Sequence, residues 1–109
     1  MTPDAQRVRD LLAPHLTGRL DDSSATLEVT GLEIAERGRT FDVVVELLAH
    51  GERWRVRLPR DNSDSALFDG SPPPHLVRHI ASVTRAQLFD WWHTKGHERK
   101  SAKLGERLA

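Results

Sequence analysis

The 109-residue chain contains no cysteine and no tyrosine, one methionine, three tryptophans and three phenylalanines. Without cysteine there is no disulfide, no thiolate zinc site and no cysteine nucleophile. Long apolar runs are also missing. The most apolar stretch, VVVELLA at 43–49, is too short and too interrupted to span a bilayer, and MTPDAQRVRDLL lacks the basic lead and apolar run of a secretory signal. A soluble, cytoplasmic protein with no membrane partner is the expectation.

Net charge is absent too, with 16 basic and 16 acidic side chains, but it is unevenly placed. Residues 1–70 carry 9 basic and 13 acidic groups, and residues 71–109 carry 7 and 3. A neutral total argues against a dedicated nucleic-acid binder, whereas a basic tail on an acidic body keeps that function as an alternative.

Catalytic patterns are missing as well. No serine sits in a G-x-S-x-G turn, no glycine-rich phosphate loop is present, and no H-E-x-x-H pattern appears. Asp61, Asp64 and Asp69 do not follow the calcium-loop pattern. His75/His79 and His93/His97 stand four apart, a spacing that can share a metal on a helix. Yet Gly96 interrupts the second pair, and solvated surface histidines are the usual case. The expectation is no enzyme, no cofactor and no physiological metal.

What is present is periodicity. Thr2-Pro3-Asp4 reads as a helix start, a hydroxyl cap followed by a proline and an acid. Ala5, Val8, Leu11, Leu12 and Leu16 recur at helical spacing up to Gly18, with Pro14 expected to kink or shorten the last turn. LDDSS at 20–24 reads as a polar connection.

Three strand-like runs follow. TLEVTGLEIA alternates with a phase slip across Gly31, which predicts a bulge. TFDVVVELL puts Phe41, Val43, Val45 and Leu47 on one face. A two-residue turn at His50-Gly51 pairs these with RWRVRLP, so that Leu47 meets Trp54, Val45 meets Val56 and Val43 meets Leu58. The same register sets Glu46 opposite Arg55. Arg53, Arg55 and Arg57 therefore share a face with Glu28, Glu33, Asp42 and Glu46, and the row is expected to be structural rather than a grip on phosphate. Val44 and Leu48 also point to that face, where arginine stems can cover them. Residues 60–74 form a long loop, expected to be anchored by Leu67 and Phe68.

HLVRHIASVTRAQLFDWWHTK, opened by Pro74, is the clearest helix, with Leu76, Ile80, Leu88 and Trp91 on its apolar face. Its C-terminal end is expected to overhang the shorter strands and to carry Phe89 on the polar side beside Arg85, with Trp92 at the edge. The competing reading has Trp91 plugging the core and Trp92 shielding its rim.

These elements predict an α+β domain over residues 1–95: an N-terminal helix, a three-stranded antiparallel β-meander, and a long C-terminal helix packed on one sheet face (α-β-β-β-α). Residues 96–109 are expected to be a basic C-terminal extension, frayed helix or disordered. That element order is similar to double-stranded RNA-binding domains, but the second helix opens PPPHLVRH where those domains have lysines, and no RNA-contacting residue carries over. The functional expectation is a small non-enzymatic binding module acting through protein–protein contacts or self-association, with Phe89, Trp92 and Arg85 as anchors. The alternative is nucleic-acid binding through Lys95, Arg99, Lys100, Lys103 and Arg107.

Overall fold

Thr2 opens the first helix as its sequence suggests. In the computed structural model, which describes residues 1–22, 25–93 and 105–108, the Thr2 hydroxyl accepts from the Ala5 N–H at 3.1 Å, and Pro3 occupies the first turn. Helix α1, Pro3–Leu16, buries Ala5, Val8, Leu12 and Leu16. Pro14 lies in its last turn, which closes with the Thr17 N–H and hydroxyl both donating to the Ala13 carbonyl.

The chain then enters a strand that the sequence did not announce. β1 (Gly18–Asp21) runs antiparallel to the start of β2 (Thr26–Arg37), with Gly18 opposite Val29 and Asp21 opposite Thr26. Of β1 only Leu20 is buried, so no alternation marked it. Asp22 ties the turn: its carboxylate accepts from the Ala25 N–H at 2.7 Å.

β2 pairs with β3 (Thr40–Ala49), and β3 with β4 (Glu52–Pro59). The register shift falls between Val29 and Gly31, where the change of phase predicted a bulge. In the β3–β4 hairpin Leu47 faces Trp54, Val45 faces Val56, Val43 faces Leu58 and Glu46 faces Arg55, as the pairing argument required. Its turn places His50 at φ 51° and Gly51 at φ 79°, the left-handed geometry of a two-residue hairpin loop.

The fold is α+β with an antiparallel sheet, but among the described residues the sheet has five strands in the order β1-β2-β3-β4-β5, not three. The fifth, β5 (Gly105–Arg107), lies in the C-terminal extension and pairs with β4. Residues 96–104 of that extension lie outside the described residues.

Both helices share the apolar sheet face. Val8, Leu12, Leu27, Phe41, Val43, Val45, Val56, Leu58, Ile80 and Leu88 are almost wholly removed from water. The long loop is anchored by a short 3-10 helix, Asn62–Phe68, in which Leu67 is buried and Phe68 meets Phe41 edge-on at 5.3 Å. Arg7 of α1 holds the following turn through the carbonyls of Phe68, Asp69 and Gly70. Helix α2, Pro74–His93, spans about 30 Å at 1.5 Å per residue. No helix among the described residues is long and apolar enough to cross a membrane.

Candidate functional site

The end of α2 does not overhang. Its last turns pack between the β1–β2 turn on one side and the β3–β4 turn on the other. Phe89, expected on the polar face, is 6% exposed and joins the core. This flank of α2 is tied to the end of β1 and the turn that follows it, so its polar residues meet protein where water was expected. Arg85 donates to the Asp21 carbonyl, and His93 Nε2 lies 2.6 Å from Asp22 Oδ2. Phe89 lies between them, its ring 5.6 Å from the Arg85 guanidinium carbon and stacked on His93 at 6.2 Å. Trp92 is half-buried and stacks on the turn residue His50 at 5.4 Å. Phe89, Trp92 and Arg85 are thus brought to one end of the molecule, where Arg85 joins α2 to β1, Trp92 joins it to the β3–β4 turn, and Phe89 packs between Arg85 and His93.

The guanidinium face of the sheet is paired as charge counting suggests. Arg55 meets Glu46 at 2.8 Å, while Arg57 and Arg37 grip the two oxygens of Asp42 at 2.8 and 3.0 Å. Asp42 is the surprise: its side chain is only 3% exposed on the face turned away from the helices. Val44, beside it on β3, is 8% exposed. Among the described residues, Arg37, Arg55 and Arg57 on this face are each paired with a carboxylate.

His75 and His79 are exposed on α2, and His97 lies outside the described residues. Among the described residues no three His, Asp or Glu side chains are grouped as metal ligands. Lys95, Arg99, Lys100 and Lys103 lie outside the described residues as well. Arg107 is placed by its backbone in β5, opposite Trp54.

Two sheet edges remain, and the chain treats them differently. Beyond Val29, β2 has no strand partner on its β1 side among the described residues. Arg9, midway along α1, and Met1, which precedes the helix, guard that edge: Arg9 Nε donates to the Leu32 carbonyl at 3.0 Å, and the Ile34 N–H points to Met1 Sδ at 3.4 Å. A cleft of about 490 Å³ opens there between Gln6, Arg9, Glu33, Val44 and Arg55. Helix side chains on an edge strand are a common defence against unwanted pairing.

The edge of β4 is instead filled by a strand of the same chain. Gly105 pairs with Val56, Glu106 with Arg55 and Arg107 with Trp54, and the Leu108 N–H extends the seam to the Arg53 carbonyl at 2.7 Å. Trp91 of α2 forms the wall of this seam. Its indole is 4% exposed, edge-on to Trp54 at 5.6 Å and 6.0 Å from Trp92. A Cβ added to Gly105 would come within 2.6 Å of that ring. On the opposite face, the Arg55 pKa is raised first by the Glu46 hydrogen bond and charge, with Glu106 and Glu33 adding to it.

Compared with known protein families, curated proteins and solved structures, the chain matches none.

What distinguishes the β4 seam chemically is its combination of backbone and side-chain recognition. A strand edge offers amides and carbonyls to an extended segment and its flanking side chains decide which segment fits; here the segment in place is Gly105–Leu108. Sequence reasoning missed it because β5 is three residues long. The usable signal was Gly105 followed by an acid and, two positions later, a leucine, but its meaning depends on Trp91 and Arg55, which are distant in sequence.

Proposed function

We propose that this chain is a non-enzymatic binding module that works through protein–protein contact, accepting an extended polypeptide segment as an added strand along the edge of β4. One observation carries the reading: the chain's own Gly105–Leu108 already occupies that edge, held by backbone pairing and by the Leu108 N–H at 2.7 Å from the Arg53 carbonyl. Three paired residues are a short strand by any standard, so the resident segment is displaceable. A second copy carries the same segment, which gives self-association a route. Where the sequence suggested Phe89, Trp92 and Arg85 as anchors, this reading rests instead on the β4 edge beside Trp91. The cysteine-free composition suits a cytoplasmic setting.

The resident segment is tethered to α2 by residues 94–104, and a tethered segment competes at an effective concentration on the order of mM. The test therefore uses the 109-residue chain carrying Gly105→Val, in which the residue facing the Trp91 ring can no longer seat. Titration with the hexapeptide Leu-Gly-Glu-Arg-Leu-Ala, followed by tryptophan fluorescence, should give saturable binding. Wild type should respond at least about tenfold more weakly, because its edge is occupied. A folded variant that gives no response to the peptide sinks the reading.

A further inference from the structure

We infer that the β4 edge is selective: it takes segments in which a glycine is followed directly by a carboxylate side chain, with Trp91 excluding any side chain at the first position and Arg55 choosing the charge at the second. This rests on the strand-addition reading above and names the partner's chemistry, an extended peptide of a second polypeptide containing glycine then aspartate or glutamate.

The glycine requirement is steric and not conformational. Gly18, Gly38 and Gly51 have positive φ, whereas Gly105 does not, so an L-residue could adopt its backbone. What forbids a side chain is the Trp91 ring, three of whose atoms would lie 2.6–2.9 Å from a Cβ. A flexible side-chain tip would swing aside. This indole cannot, being buried and wedged between Trp54 and Trp92.

The charge requirement follows from the row across the sheet. Arg55 stands between Glu46 of β3, at 2.8 Å, and Glu106 of β5, its direct partner in register. A cation in place of Glu106 would stand opposite Arg55 in the strand register, and like charges directly opposite destabilise a strand pair. Leu108 then fixes the register, since its N–H reaches the Arg53 carbonyl one step beyond the paired residues.

Three hexapeptides test this on the same Gly105→Val chain: Leu-Gly-Glu-Arg-Leu-Ala, the same with its glycine replaced by valine, and the same with its glutamate replaced by lysine. The glycine replacement should weaken binding about tenfold or more, as overpacking does. The lysine peptide should bind about two- to fivefold more weakly than the first. Adding Arg55→Glu to the chain should reverse the order of the glutamate and lysine peptides. Equal affinity for all three overturns the selectivity and leaves strand addition standing, whereas no binding by any peptide removes strand addition itself. A second measurement avoids Gly105: Glu106→Lys in the otherwise wild-type chain should speed hydrogen exchange at the Leu108 amide by about two- to fivefold, and Arg55→Glu should restore it. An unchanged exchange rate rejects the role given to Arg55.

Discussion

Phe89→Ala separates the two readings of the helix end. An exposed anchor would be lost at little cost in stability, whereas a core residue would not. In the structure Phe89 is 6% exposed, so nearly its whole ring is removed from water. Burying such a side chain is worth about 1.5–3 kcal/mol. The ring also receives the Arg85 guanidinium at 5.6 Å, a contact worth about 0.5–1 kcal/mol near the surface. Truncation leaves a cavity that the surrounding side chains fill only in part, and Phe→Ala changes in cores cost about 3–5 kcal/mol. The site borders the half-exposed Arg85 and the exposed His93, so the low end applies, about 3 kcal/mol. For a domain of this size that lowers the melting temperature by about 12–20 °C. Urea denaturation with matched slopes is the assay. A loss below about 1 kcal/mol would show that α2 does not press this ring against protein.

Other consequences can be checked in the same preparation. Asp42→Asn should cost about 2 kcal/mol by urea denaturation, since a buried carboxylate bonded to two arginines becomes an amide that turns a donor toward them; the arginines are half-exposed, which limits the loss. A change within 0.5 kcal/mol, the ordinary surface range, would mean that water already screens those bonds. Asp21 has its pKa lowered, first by the Thr26 hydroxyl at 2.5 Å and then by Arg19. Its contribution to stability is therefore complete above the ordinary carboxyl pKa of about 3.9 and fades as pH falls through the lowered value. Thr26→Val should move the Asp21 midpoint upward in an NMR titration and flatten that acid limb; an unmoved midpoint refutes the assignment. Trp92→Ala should cost only about 1 kcal/mol, because the ring is half-buried against His50, and should leave the Phe89 environment unchanged in NMR spectra.

Much of the fold was legible because it is local. The period of 3.6 in α1 and α2, the alternation in β3 and β4, and the two-residue turn at His50-Gly51 are written in adjacent residues. Once one turn length is fixed, a strand register follows for the whole hairpin. The compensation of Arg55 and Arg57 by acids was legible for the same reason, since strand pairing converts sequence spacing into cross-strand neighbours.

What tertiary structure alone decided is where that pattern meets short, weakly patterned segments. Gly18–Asp21 and Gly105–Arg107 are strands only because an edge of β2 and an edge of β4 stand ready to receive them; the first buries only Leu20 and the second is three residues long. Their presence changes the meaning of residues far away. Phe89, a surface aromatic by periodicity, is a core residue in the folded chain, and β5 turns Trp91 into the wall of a seam. Periodicity reports which face of an element is apolar, but the width of the sheet sets how much of the opposite flank is covered, and that width is a sum over contacts between distant segments.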